Sequence, residues 1–144
     1  MEIAYLAGLI DGEGCIVIKK NKSTNRLYNY SLRLTVQMYH KDVIYAIYCR
    51  FGGNIHILKN KIWFWDIGGL DAGDLLKELL PYLIVKKEQA ELALNFLKTF
   101  EYSRTSNMIR SVEERHVQDE YYKMMQLLKE VYKYGNNFLM EYVK

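Results

Sequence analysis

Leu6-Ala7-Gly8-Leu9-Ile10-Asp11-Gly12-Glu13-Gly14 is the stretch on which the reading of this chain turns. With Ile3, Ala4 and Tyr5 before it, the run up to Asp11 is almost wholly apolar, and a helix this short is stable only if most of its sides are buried. Small residues recur at Ala4, Gly8 and Gly12, every fourth position, which makes one smooth stripe along a helix. Such a stripe admits the close approach of another backbone. Periodicity alone leaves open whether that backbone belongs to the chain's own sheet or to a partner. Asp11 and Glu13 stand where a helix carries partial negative charge, a placement that costs some tenths to about 1 kcal/mol per carboxylate. A bound cation would offset that cost, because hard oxygen ligands and unpaired helix carbonyls suit Mg²⁺ or Ca²⁺. One carboxylate and one carbonyl are too few to hold it, so a metal here needs a second chain, a substrate phosphate, or both. The plainer alternative for an Asp-x-Glu pair is a solvated turn.

Outward from this stretch, Cys15 to Asn21 alternates, with Ile16 and Ile18 on one side and Val17, Lys19 and Asn21 on the other. Ser31 to Met38 alternates as strictly, with Leu32, Leu34, Val36 and Met38 forming the apolar side. The polar run from Lys22 to Arg26 joins them as a hairpin. Their shared wet face carries Lys19, Asn21, Ser31, Arg33, Thr35 and Gln37 and no carboxylate. An ordinary solvated sheet would look like this, but forked donors without acids are also the composition that reads base edges.

Asp42 to Phe51 predicts a helix stopped by Gly52-Gly53. Asn54–Leu58 and Ile62–Ile67 predict a second hairpin around Lys59-Asn60-Lys61, with Trp63 and Trp65 assigned to the core. Asp71 is expected to cap a helix running to Leu80, which Pro81 ends, so that Gly69–Asp74 serves as a loop and helix cap. Lys86 to Phe100 reads as an amphipathic helix. Beyond a linker at 102–107, Ser111-Val112-Glu113-Glu114 has capping-box spacing, followed by a stripe at Val117, Tyr121, Met124, Leu128 and Val131. The coarse order is α-β-β-α-β-β-α-α-α, an α+β domain.

Composition agrees with one domain over 1–144: a core over about 1–100 and a helical tail over about 101–144. A chain of this length buries roughly 70% of its unfolded surface without disulfides, so Cys15 and Cys49 are expected to be reduced thiols of an intracellular protein. No apolar run approaches the roughly 20 residues that cross a bilayer, which excludes a membrane partner of the spanning kind. Met1 to Gly14, with its two acids and no basic leader, is not expected to be a signal peptide. Twenty Lys+Arg against 17 Asp+Glu, a net +3, permits a nucleic-acid partner without demanding one.

The nonamer Leu6 to Gly14 resembles the motif that names the LAGLIDADG homing endonucleases, departing at Gly12, where the motif has alanine, and at Glu13, where it has aspartate. The αββαββα order that follows is similar to the family's domain, a four-stranded antiparallel saddle sheet, here with extra C-terminal helices. The resemblance implies a site-specific, metal-dependent double-strand DNA endonuclease that leaves short 3′ overhangs at a long pseudopalindromic target. It implies a homodimer whose motif helices pack together through Ala4, Ala7, Gly8, Asp11 and Gly12. Glu13 and the Gly12 carbonyl would bind Mg²⁺, with Mn²⁺ substituting and Ca²⁺ binding without supporting cleavage. Asp11 would finish the helix or support the site. His40 falls where the family presents a polar residue near the attacking water, and Lys86, with Lys87 as its competitor, where the family has a basic residue near the scissile phosphate.

Base readout would fall to Val17, Lys19, Asn21, Ser31, Arg33, Thr35 and Gln37 on the first hairpin and to Asn54, His56, Lys59 and Lys61 on the second. Arg33 would favour guanine and Gln37 adenine if each binds in bidentate fashion. Ser23, Asn25 and Arg26 would touch backbone phosphates, and Arg104 and Arg110 are further basic residues of the tail. Two other readings use the same fold: a maturase acting on intron RNA, and a DNA-binding regulator that does not cleave. An organelle, a bacterial or archaeal cytoplasm and a phage-infected host all suit such a protein.

Overall fold

A computed structural model describes residues 1–22, 28–100 and 112–142, with 134–142 described as backbone. In chain order it contains α1 (Ile3–Glu13), β1 (Gly14–Lys22), β2 (Tyr28–Met38), α2 (Lys41–Phe51), β3 (Asn54–Ile57), β4 (Trp63–Gly68), α3 (Gly69–Leu79), a 3-10 turn (Leu80–Tyr82), α4 (Lys87–Lys98) and α5 (Val112–Tyr142). The strands form one antiparallel sheet in the order β1-β2-β4-β3. Both hairpins and the α+β order expected from periodicity are therefore present.

Alternation builds the sheet's two faces as expected: Ile16, Ile18, Leu32, Leu34 and Val36 are buried, while Lys19, Arg33 and Gln37 are exposed. Tyr30 is a further inward residue, so β2 starts three positions before Ser31 and pairs its Tyr28 with Lys22. Helix α1 contributes Leu6, Ala7 and Ile10 to the same core. It passes into β1 without a loop, because the Gly14 N–H closes onto the Ile10 and Leu9 carbonyls. A Cβ at Gly14 would lie 2.6 Å from the Ile10 Cα, so only glycine fits this junction.

Gly52 stops α2 at φ +75°, and its carbonyl accepts the Trp65 indole N–H at 2.7 Å. That bond ties β4 to the end of α2 and leaves Trp65 fully buried, while Trp63 is half-buried and packs edge-on against Tyr45.

Two expectations fail at helix starts and faces. Residues 69–74 are not a loop: α3 begins at Gly69 behind Gly68, so Asp71 lies in the first turn and not at the cap. Its carboxylate there still opposes the helix's positive end. On α5, Tyr121 packs edge-on against Phe96 as expected and Leu128 is half-buried, but Val117, Met124 and Val131 are exposed, and the inward line also takes in Gln118, Tyr122 and Met125. The reason is polar anchoring. Asp119 accepts hydrogen bonds from Lys20 Nζ at 2.9 Å and from the Tyr30 hydroxyl, and these set the helix's rotation on β1 and β2. The capping-box residue Ser111 lies outside the described residues. No described helix is long and apolar enough to cross a membrane.

Candidate active site and nucleic-acid interface

The C-terminal end of α1 meets the segment between the 3-10 turn and α4, whose bonded residues lie 73 to 76 positions later in the chain. Asp11 makes the junction: Oδ2 accepts the Ile84 N–H at 2.8 Å and Oδ1 the Lys86 N–H at 2.9 Å. Pinned in this way, Lys86 turns its ammonium back across the helix end and donates to the Ile10 and Asp11 carbonyls at 2.7 and 2.8 Å. Lys86 precedes the positive end of α4, but its charge sits at the negative end of α1, where the macrodipole favours it. Burial lowers its pKa from the ordinary lysine value. The charges of Cys15, Asp11 and Glu13 act in the opposite direction, and Lys129 adds to the lowering. Lys87 is exposed and has no such contacts, so geometry selects Lys86 as the lysine of this site. Asp11 is thus a clamp, its carboxylate committed to backbone amides.

Glu13 is exposed beside this cluster, and Gly12 contributes a last-turn carbonyl. Both are hard oxygen donors that suit a magnesium-class cation. The cation cradle formed by the helix carbonyls is already answered by an ammonium, so the end of α1 is built to face positive charge. Among the described residues no group of three or more His, Cys, Asp or Glu could hold a metal. The donors therefore fit a divalent cation as one part of a site whose other oxygens come from outside the chain.

The smooth stripe faces away from the sheet. Ala4, Gly8 and Gly12 are exposed, and a Cβ placed on either glycine meets nothing within 4 Å. The alternative in which the stripe packs on the chain's own sheet is therefore wrong. Ala7 is also misassigned as an interface residue: it is fully buried in its own core, because it lies a quarter turn from the stripe, beside Leu6 and Ile10. Ile84, 84% exposed, is an apolar residue held near the same end of α1 by the bond from its N–H to Asp11.

The sheet's wet face spans all four strands. Register places Val17 beside Arg33, Lys19 beside Ser31 and Asn21 beside Asn29. Across β2 and β4, Arg33, Thr35 and Gln37 stand opposite Gly68, Asp66 and Phe64. Asn54 and His56 of β3 stand opposite Asp66 and Phe64. The two hairpins thus share one surface, which carries Val17, Lys19, Asn21, Ser31, Arg33, Thr35, Gln37, Asn54 and His56. Lys59 and Lys61 are exposed at the β3–β4 turn, with Lys61 at φ +59°. His40 is exposed at the N-terminal boundary of α2 and makes no side-chain capping bond. Ser23, Asn25, Arg26, Arg104 and Arg110 lie outside the described residues.

Two residues with no assigned role enter the site. Asp66, 1% exposed, places a carboxylate on the face whose first hairpin has none; it is ion-paired with Arg33, and its Oδ1 lies 3.1 Å from His56 Nε2. The apolar run Ile62–Trp65 hid the phase of β4, so the face to which Asp66 belongs was not legible. Lys129 of α5 brings its Nζ to 3.4 Å from Cys15 Sγ, close enough to Lys86 to lower that lysine's pKa. No local signal in α5 distinguishes Lys129 from an ordinary surface lysine.

The LAGLIDADG endonuclease family model matches residues 6–102, more than half of the chain. The chain belongs to the LAGLIDADG endonuclease family. Among its relatives, the DNA endonuclease I-CvuI of Chlorella vulgaris is 27% identical over 107 residues, which are 68% of this chain and 65% of that protein. The matched part is therefore just under two thirds of that relative's length. A crystal structure of the homing endonuclease I-CvuI in complex with its target, in the presence of Ca²⁺, superposes with a TM-score of 0.77 at 23% identity, covering 88% of this chain and 80% of that one. I-AabMI, a LAGLIDADG meganuclease bound to uncleaved DNA, superposes with a TM-score of 0.69 at 22% identity, covering 85% of this chain but 44% of that one. The LAGLIDADG fold, with its four-stranded sheet and flanking helices, is thus shared by all three.

Proposed function

We propose that this LAGLIDADG protein is a homing endonuclease that cuts both strands of a long, pseudopalindromic DNA duplex by hydrolysis supported by a divalent metal. The observation that carries this reading is the convergence of Glu13, Lys86 and the Gly12 carbonyl at one helix end, beside a four-stranded face rich in forked donors. The relative I-CvuI, a DNA endonuclease by name, supports the DNA part of this reading: it was crystallised with its own target in Ca²⁺, and with the I-CreI target in Mg²⁺, where the DNA was not cleaved.

Glu13 and the Gly12 carbonyl would hold Mg²⁺, and Mn²⁺ in its place, with phosphate oxygens and a second chain completing the donor set. When bound, such a cation activates water and offsets charge on the leaving oxygen. Lys86, held by the α1 carbonyls, directs its charge at the phosphate undergoing attack. Asp11 keeps Lys86 there, and exposed His40 orients or deprotonates water at the end of β2. Val17, Lys19, Asn21, Ser31, Arg33, Thr35 and Gln37 of the first hairpin, with Asn54, His56, Lys59 and Lys61 of the second, would read base edges in the major groove, and Ser23, Asn25 and Arg26 would touch phosphates.

Two copies make the enzyme. The exposed stripe Ala4-Gly8-Gly12, with Ile84 beside it, suits a self-complementary two-fold contact. The chain's 44% coverage of I-AabMI is the coverage expected if two such chains occupy the place of one longer chain.

The decisive experiment selects cleavable sites from a randomised duplex library with Mg²⁺, alongside Glu13→Gln and an EDTA control. Discrete cuts that vanish in both controls are expected. Specific binding without cutting in any metal would replace this reading with that of a non-cleaving regulator.

A further inference from the structure

Asp66 is the sole carboxylate among the described face positions of the four strands, and it is 1% exposed there. A buried carboxylate is costly unless both oxygens are paired, and it opposes a phosphate backbone. Both oxygens are in fact committed: Oδ2 to the Arg33 guanidinium from β2, and Oδ1 to His56 Nε2 from β3 at 3.1 Å. The acid is hidden, whereas its two partners are presented, with 44% of the Arg33 side chain and 57% of the His56 side chain exposed.

We propose that Asp66 is the specificity-determining positioning residue of the sheet face, orienting Arg33 and His56 as one readout unit for adjacent base pairs. This inference rests on the DNA-endonuclease reading above. A carboxylate paired with arginine only accepts, so His56 donates through Nε2–H, which leaves Nδ1 uncommitted to Asp66. In the Nε2–H tautomer Nδ1 is an acceptor, which matches the exocyclic amino group of adenine or cytosine. Arg33 gives one donor to Asp66 and keeps the rest of its fork for guanine O6 and N7. Without Asp66, the arginine is released to follow phosphates and the imidazole is free to change tautomer. Base discrimination is then lost while general affinity is kept.

The test measures binding in EDTA, so that no strand is cut, to a duplex library randomised over the half-site. Asp66→Asn should lose on the order of tenfold discrimination at the same base pairs that Arg33→Ala and His56→Ala blur, without weaker binding to random duplex. A uniform loss at every position, or a profile equal to wild type, overturns the proposal. Should Asp66→Asn fail to fold, the exposed pair decides: coupling through Asp66 makes the Arg33→Ala/His56→Ala double variant lose less than the sum of the single losses, and additive losses overturn the proposal. A wild-type protein that enriches no duplex sinks the endonuclease reading itself. Enrichment with an unchanged Asp66→Asn profile sinks only the role of Asp66.

Discussion

A Cβ added to Gly14 would stand 2.6 Å from the Ile10 Cα, whereas one added to Gly8 or Gly12 would meet nothing within 4 Å. Three glycines of one nonamer thus answer to different masters. Gly14 and its neighbours Leu6, Ala7 and Ile10 are dictated by this chain's own packing, since helix passes into strand there without a loop. Gly8 and Gly12 are exposed, and no described residue stands where their side chains would be. A helix interior disfavours glycine by about 1 kcal/mol relative to alanine, so the outward glycines weaken α1 with no return inside the monomer. In the proposed homodimer, the partner's surface would supply the compensation.

The largest effect that would break this comparison is at the inner position. Gly14→Ala should cost about 3 kcal/mol, since the clash is with backbone that cannot swing away, and should lower the melting temperature by on the order of 10 °C. Calorimetry at neutral pH checks this, and an unchanged melting temperature would mean that the α1–β1 junction is not the tight one described. At the outer position the expected change is in assembly and not in folding. Gly8→Leu should leave the circular dichroism spectrum of the chain intact while converting a two-fold assembly to monomer in sedimentation velocity. A variant that sediments like the wild type would remove the argument that the smooth side of α1 serves a partner.

A smaller effect sharpens the inner half of the comparison at the far side of the core. Hydrogen bonds from Tyr30 and Lys20, and one from Lys123, hold the Asp119 carboxyl well below the usual carboxylate range. A depressed folded-state pKa contributes stability that is fully present above the ordinary value of 3.8 and is lost as pH falls through the more acid folded value. Asp119→Asn should therefore lose about 1–2 kcal/mol at pH 7, with a stability that declines less steeply than wild type on acidification below that value. Urea unfolding at neutral and acid pH measures both. Because Asp119 belongs to the chain's own packing, the variant should keep the wild-type oligomeric state.

Legibility followed the same division between local pattern and distant contact. Alternation at Ile16–Lys19 and Leu32–Met38 made the first hairpin and its wet face readable, and the nonamer named the family that residues 6–102 match. The β4 run Ile62-Trp63-Phe64-Trp65 carries no alternation, so the phase that sets Asp66 on the wet face came only from pairing with β2 and β3. Similarly, the apolar stripe of α5 is right at Tyr121 but not at Val117, Met124 or Val131, because contacts that orient the helix are polar: Asp119 to Lys20 and Tyr30.

By itself the sequence determined the helix–strand order, the apolar side of the first hairpin, the small-residue stripe of α1 and the placement of Glu13 at a helix end. Each of these follows from spacing along the chain, where a period of 3.6 or 2 decides which side chains share a face. Tertiary structure alone decided that Lys86 and not Lys87 reaches the α1 carbonyls, that Asp11 is a clamp, that Ala7 is core, and that Asp66 joins Arg33 to His56. These are juxtapositions of residues as many as 76 positions apart. Loop closure and packing bring such residues together, and no local periodicity records that meeting.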